Sequence, residues 1–330
     1  VLITNNNLIE FVGSKADAEN RGLLSNVDEL IDLDQKLVLP GFIDCHVHTV
    51  MGGFYLLGID LQQAKSKDNF IEEIKKFITK RGIQHSLGIS SPLYNWIQGG
   101  NWNEQNWEKV ELPRKEWIDS FTENIPVFVS RMDYHQAFAN SCALKLAGIT
   151  KDTESPAGGE IQKDPISGEP TGILRDKAMD LVKNVIPPPT EIEMEKAALT
   201  TLAEANRFGV TSYHEICYDN DFRILQKLER EGKLSCRVFA RLPIERIDAI
   251  IETQIEAGFG SSMLRTGSLK AFADGSLGSS TALFFDNYEN EPNNFGLAME
   301  ILENGSLREW IIKADKNHLQ LSVHAIGDKA

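Results

Sequence analysis

The sequence predicts an α/β protein whose main body is a (β/α)8 TIM-type barrel. A small N-terminal β-domain segment would precede it, and a large insertion would follow its first strand. Three observations carry this reading. From residue 190 onward, short apolar runs alternate with amphipathic helical stretches, the pattern of βαβ units around a parallel sheet. An apolar run at 42–48 follows directly on Pro40-Gly41, a break that sets it off from residues 1–39. Between those two regions, residues 49–200 interrupt the alternation as a long excursion.

Taken in order, VLITN and LIEFVG read as short strands joined by a polar turn, and a Leu-rich approach ends at KLVLP. Residues 1–39 are therefore assigned to the β-domain segment and 40–330 to the barrel. The insertion carries a helix over 67–81, with Ser66 before it and Gly82 after it. Thr190 and Glu193 form a capping box, and Leu199, Leu202, Ala203 and Ala205 continue a helical stripe. GVTSYHEI is a strand, the helix at 221–231 ends at Gly232, and CRVFARL (236–242) is the next strand. Pro243 opens a helix with Ile244, Ile247, Ile251 and Ile255 on one face, and LKAFAD (269–274) follows as a strand. Ser306 and Glu309 are expected to cap another helix before the strand LQLSVHA (319–325). With residues 42–48 this makes five strands, so the eight-stranded barrel is expected to be incomplete at its C-terminal end.

Bulk properties narrow the class. The 330 residues are 42% hydrophobic and 25% charged, ordinary values for a globular protein. A net charge of −14 and a pI near 5.0 exclude the basic face that nucleic acid or an anionic membrane demands. No run approaches the ~20 apolar residues of a bilayer span, and VLITNNNLIEF lacks the basic start of a secretion signal. Cys45, Cys142, Cys217 and Cys236 have no regular spacing, and most resemble small buried side chains, which favours reduced thiols and a cytoplasmic location. Partners are expected to be confined to a small-molecule substrate and, at most, a second copy of the chain as a homodimer.

The sharpest chemical motif is Asp44-Cys45-His46-Val47-His48. Residues i and i+2 of a strand face the same side, so both imidazoles can converge on one ion. Their place at the end of an apolar strand matches the C-terminal face at which barrel enzymes build their sites. His324 also ends an apolar strand. Lys270 lies inside one, where a bare ammonium is costly to bury. Two resolutions stand open for it: an ion pair with Asp274 or another acid, or conversion into an anionic metal ligand.

The segment VLPGFIDCHVH resembles the first metal motif of the amidohydrolase superfamily. WIQGGNWNEQNW (96–107), VFVSRMDYHQAFANSCAL (127–144) and GGEIQKDPISGEPTGILRD (158–176) are similar to the amidohydrolase-3 group of YtcJ-like and N-substituted formamide deformylase-like metallohydrolases. GVTSYHE, LKAFADGSLGSSTA and LSVHAIGDKA continue the similarity in the same order. The resemblance implies a metal-dependent hydrolase cleaving an amide or formamide-like C–N bond with metal-activated water. It implies His46, His48, Lys270 and His324 as metal ligands, with Lys270 carbamylated so that it can bridge two ions. It further implies a divalent metal, zinc in the first place and iron or manganese otherwise, as one or two ions. The family's sixth-strand histidine and eighth-strand aspartate, the general base, are expected beyond residue 330. Tyr134 stands where many relatives carry glycine.

Residues of a second rank are Asp133 and His135 in the insertion, His214 after GVTSY, Arg175 in GILRD, and Trp102, all weighed as substrate contacts. Each has a plainer alternative: a strand-end histidine for His214, a structural ion pair for Arg175, core packing for Trp96, Trp102 and Trp107. Asp274 is either a turn former or support for the metal site. His85 and His318 look like surface residues. Two other functions compete with the amidohydrolase: a metal-binding or regulatory protein without turnover, and an esterase or lactonase on the same site.

Overall fold

The computed structural model describes residues 1–330 except 7, 26, 87–95, 219, 278–279 and 290, and except the side chains at 81 and 83–86, so the position of the His85 ring lies outside the described residues. Two compact units are present, Val1–Pro40 and Gly41–Ala330. In the first, β1 (Leu2–Asn5) and β2 (Leu8–Val12) pair antiparallel, with Leu2 opposite Val12. A short helix, α1 (Lys15–Asn20), follows; the Ser14 hydroxyl caps it by accepting the Asp17 N–H at 3.1 Å. No strand forms at KLVLP: Leu37, Val38 and Leu39 are exposed without a pairing partner, and Pro40 has no N–H to offer one.

The second unit begins with β3 (Phe42–Val47) and α2 (Thr49–Leu57). The inserted segment then lays down β4 (Ile59–Asp60), α3 (Lys67–Ser86), β5 (Gly99–Trp102), β6 (Phe128–Arg131), β7 (Gln136–Ala139), α4 (Ser141–Leu146), β8 (Gly159–Lys163), β9 (Pro170–Asp176) and α5 (Ala178–Lys183). Its six strands form a separate mixed sheet in the order β4-β5-β6-β7-β9-β8. Ser66 caps α3 as the sequence predicts, but the helix runs on through Gly82. One glycine costs about 1 kcal/mol in a helix, too little to end one whose stripe of Phe70 and Ile74 is fully buried.

The chain returns through α6 (Glu191–Arg207), where Thr190 and Glu193 make the reciprocal cap read from the sequence. Then come β10 (Val210–Ile216), α7 (Asp221–Arg230), β11 (Arg237–Pro243), α8 (Ile247–Glu252), β12 (Leu264–Phe272), α9 (Glu300–Glu303), α10 (Ser306–Lys316) and β13 (Leu321–His324). The strands form one parallel sheet in the order β3-β10-β11-β12-β13, a half-barrel. Ser306 is the first residue of α10 rather than its cap. Gly305 takes that place in the left-handed region at φ 80°, and the Asn304 side chain accepts the Ser306 N–H at 2.9 Å.

Packing gives the half-barrel sheet two unlike faces. Tyr213, Val238, Ala240 and Leu264 are buried with Ala197, Leu202, Ile224 and Leu228 of α6 and α7. Leu269, Ala271 and Ala273 are buried with Ile247, Ile250, Leu307 and Ala314 from α8, α10 and their approaches. Leu264 and Leu269 are an odd number of residues apart yet face the helices together. A register shift against β11 between Ala240 and Leu242 reconciles them and turns Lys270 to the opposite face. Cys217 and Cys236 are buried as expected, whereas Cys45 is exposed, because β3 pairs on one side only, with β10.

Close packing of α2 on α6 requires glycine at position 53, where an added Cβ would lie 1.9 Å from the Ala197 carbonyl oxygen. At Gly52 the nearest atom would be 3.7 Å away. Gly53→Ala should therefore lose about 1–3 kcal/mol of stability, while Gly52→Ala should gain up to about 1 kcal/mol. Paired denaturant midpoints for the two variants check this; equal midpoints would contradict the packing.

Candidate metal centre at the barrel mouth

The face opposite the helices mixes Phe239 and Phe272 with polar side chains at the C-terminal ends of the strands. His46 and His48 end β3 with ring centroids 5.2 Å apart. Lys270 stands beside Ser322 of β13 in the ladder, and Phe272 beside His324. The Ser268 and Ser322 hydroxyls bond across at 2.8 Å. The sequence-predicted ligands thus come from β3, β12 and β13 of one sheet. His46 feels the charge of Lys270, Arg241 and His324, and His48 feels His46 and Lys270.

Electrostatics here favour neutral imidazoles. Burial first, then the Lys270 and Arg241 charges, lower the pKa of His46. Burial and then His46 lower that of His48, against a backbone hydrogen bond at Ile216. The His48 Nδ1 is buried without a hydrogen-bond partner, and its ring stacks on Tyr218 at 5.5 Å. His324 Nε2 lies 2.7 Å from the Gly275 carbonyl oxygen. A carbonyl only accepts, so Nε2 carries a proton there, and Nδ1 is the ring atom that would face a metal. These are the protonation states that ligation needs.

Lys270 is 7% exposed, and burial followed by the Arg241 charge lowers its pKa. Among the described residues it pairs with no carboxylate; its Nζ lies 4.7 Å from the centroid of the Phe272 ring. The ion pair with Asp274 considered from the sequence is not formed, because that carboxylate is already engaged. It accepts the N–H groups of Leu283 at 2.9 Å, Ile326 at 3.0 Å and Gly327 at 2.8 Å. Burial would raise its pKa, but these bonds hold it below the usual range. Asp274 lies 3.7 Å from His324 Nε2 and ties down the loop beyond it. Among the described residues, no three His, Cys, Asp or Glu side chains converge as a ready-made metal cage. The donor set nonetheless suits a divalent ion: the His46 and His48 imidazoles are held toward their neutral form, and Lys270 is a buried lysine paired with no carboxylate among the described residues.

On the insertion, His135 Nδ1 meets Asp176 Oδ1 at 2.9 Å across β7 and β9. Both are exposed, and Asp176 and Tyr134 sit in the left-handed region at φ 46° and 60°, costly for side chains other than glycine. The Tyr134 hydroxyl donates to Asn101, whose amide donates to Tyr55 of α2. Arg131 holds the turn, bonded to Glu104 at 2.9 Å and to Asp133, which accepts the His135 N–H at 3.1 Å. Glu291, in the loop after β12, is held below the usual range by Ser280 first, and the His135 charge also reaches it.

Two other expectations take their plainer form. Arg175 is bonded to Gln136 at 3.0 Å and to Glu160 at 2.5 Å, clamping its own sheet. Trp102 is fully buried and cannot touch substrate. It packs on Phe70 and Trp107, and its indole N–H points to the Val129 carbonyl at 3.4 Å, because β5 is an inner strand of the inserted sheet. Trp96 and Trp107 are likewise buried, while His318 is exposed. A cavity of about 670 Å³ lined by Phe54, Trp96, Lys183, Pro187 and Lys196 contains none of the proposed ligands.

Two residues of the site escape a reading by motif. Arg241 enters the mouth from β11, with Nη2 3.0 Å from His214 Nδ1. Glu215, fully buried, reaches the other face, accepting the Thr49 N–H at 2.9 Å and the Thr49 hydroxyl. It thereby fixes the residue after His48. A signal for both was available: each is a charged residue inside a strand, next to apolar neighbours, Ile216 beside Glu215 and Leu242 beside Arg241.

Against this geometry, the chain matches the Amidohydrolase family over residues 29–330, and it belongs to that family. It is 35% identical over 322 residues to the protein LONG AFTER FAR-RED 3 of Arabidopsis thaliana, covering 94% of this chain and 53% of that one. It is 31% identical over 308 residues to YtcJ of Bacillus subtilis (strain 168), named as an amidohydrolase, covering 92% and 55%. Among solved structures it resembles an uncharacterized metal-dependent hydrolase from Pyrococcus furiosus, at a TM-score of 0.73 and 28% identity, over 99% of this chain and 63% of that one. The chain thus spans about half the length of the curated relatives it matches. Among the described residues no helix is long and apolar enough to cross a membrane.

Burial pushes the Glu215 carboxyl up to about 8, from an ordinary 4.5. A raised acid binds its proton more tightly folded than unfolded, so its contribution falls as pH rises through the window from 4.5 to about 8. Melting temperatures of metal-free protein should therefore drop between pH 5 and 8, and Glu215→Gln should flatten that drop; an unchanged slope would contradict it.

Proposed function

We propose that this protein is a metal-dependent hydrolase that opens the C–N bond of a small amide or formamide-like substrate. The reading rests on His46, His48, Lys270 and His324, which come from the strand ends of one parallel sheet, with the His46 and His48 ring centroids 5.2 Å apart. Family membership supports hydrolysis, and the names of two solved structures similar to this chain, both metal-dependent hydrolases, support a metal.

His46, His48, His324 and a carbamylated Lys270 would hold one or two divalent ions, zinc foremost. Bound there, the metal supplies activated water and a polarised scissile carbonyl. The carbamate replaces a buried positive charge by an anion with two ligating oxygens, removing the repulsion a bare ammonium would set against a cation. Depression of the Lys270 pKa keeps more of its amine neutral, the form that adds CO2. His324 is oriented through Nε2 by Gly275, and Asp274 pins the loop behind it. The Asp176 carboxylate fixes the proton of His135 on Nδ1, leaving Nε2 to contact substrate at the rim.

His46→Asn and His48→Asn should each lower divalent-metal affinity by about tenfold or more, read by metal analysis after dialysis. Lys270→Ala should lose metal and turnover, with partial recovery on adding formate or acetate. Intact-mass analysis of a Lys270 peptide from metal-loaded protein should show the CO2 adduct. Retention of full metal by the unrescued Lys270→Ala protein would sink the bridging role. A panel of matched amides and esters separates C–N from C–O cleavage.

A further inference from the structure

Thr49, fully buried, is gripped at each of its polar groups. Its N–H donates to both oxygens of Glu215, at 3.0 and 2.9 Å, and its hydroxyl bonds to Glu215 and lies 3.0 Å from the Tyr213 hydroxyl. Its carbonyl accepts the Thr201 hydroxyl at 2.7 Å. These partners come from β10 and α6, at least 152 residues further along the chain, and Tyr213 and Glu215 are fully buried as well. Away from water each bond is costly to leave unmade, so together they confine the backbone at Thr49. Thr49 opens α2 and is joined directly to His48, the junction residue at φ −118° and ψ 86°. The ring of His48 meets a second grip. Tyr218, just past the end of β10, stacks on it with centroids 5.5 Å apart and planes 15° from parallel. The Tyr218 N–H is tied in turn to Asp221 Oδ2 at 2.9 Å. His46, on the same strand as His48, is exposed.

We propose that Glu215 and Tyr218 are positioning residues for His48. Glu215 fixes the backbone that carries the ring, and Tyr218 fixes the plane of the ring, so the imidazole keeps one orientation before any ion arrives. Neither acts by touching the ion. A side chain already held in place loses little freedom on binding, and the groups behind a metal ligand govern affinity for that reason. His48 is then the preset member of the pair, and the exposed His46 the one that adjusts to the ion. The clamp stands on the contacts of Thr49 and Tyr218; its effect on metal affinity rests on the metal centre of the proposed hydrolase.

The test compares Glu215→Ala with Glu215→Gln, which keeps an acceptor for the Thr49 N–H, and Tyr218→Ala with Tyr218→Phe, which keeps the stacking ring. In metal-free protein labelled on its histidine rings, the His48 resonance is identified by its loss in His48→Asn. It should be single and sharp in wild type and in the two conservative variants, and shifted and broadened in the two alanine variants. Zinc binding measured by calorimetry should weaken by about tenfold or more in the alanine variants and stay near wild type in the conservative ones. Leu228→Ala, a cut elsewhere in the same core, serves as the stability control: it should lower the melting temperature and leave both readouts in place. An unmoved His48 resonance in both alanine variants overturns the proposal. So does an equal change in Leu228→Ala, which would reduce the effect to general loss of stability. If Glu215→Ala does not fold, Tyr218→Ala, at a partly exposed residue, decides alone. Zinc affinity that His48→Asn leaves unchanged would refute the metal reading, while the metal-free resonances still decide the clamp.

Discussion

The constraint on which this structure depends is the two-sidedness of a parallel strand. Side chains alternate, helices cover one face, and the other is released from packing duty. Tyr213, Val238 and Ala240 go to the helices; His214 and Arg241, from the same strands, go to the mouth. The alternation works only while register holds, since a one-residue slip exchanges the faces. The shift between β11 and β12 uses that sensitivity, letting Leu264 and Leu269 share the apolar side and presenting Lys270 to the histidines.

The polar face is short of acid. His46, His48, His214, Arg241, Lys270 and His324 lie at the strand ends, while the carboxylates nearest in sequence are already hydrogen-bonded to backbone N–H groups. Asp274 accepts three backbone N–H groups, Asp44 accepts the His46 N–H at 3.0 Å, and Glu215 turns to Thr49 on the far face. In a chain of net charge −14, this is a local reversal of sign. Burial first, and then these neighbouring charges, shift His46, His48 and Lys270 toward their neutral forms. The same imbalance would make the mouth receptive to an anion such as a carbamate on lysine.

The insertion contributes in a different manner. Its core is a separate sheet with its own aromatic packing around Phe70, Trp102 and Phe138. What it offers outward is a strained turn, Tyr134–His135 against Asp176, braced by Arg131 and Glu104. A rigid sheet holding a strained polar turn is a way to carry a specificity element without loosening the catalytic scaffold.

The sequence by itself determined the strands and helices of the half-barrel, the capping box of α6 and the pairing of His46 with His48. Each is written in a local period or a fixed spacing, and a few neighbouring residues suffice to enforce it. Tertiary structure alone decided which way Lys270 points, because that depends on a register shift against a distant strand. It decided that Asp274 holds three backbone amides instead of a lysine, that Trp102 packs into a core, and that Arg175 clamps its own sheet. It also brought Glu215 to Thr49, 166 residues away in sequence, and left the Arg241 Nε without a partner. These are long-range outcomes of competition for hydrogen bonds and volume, and no local pattern encodes which competitor wins.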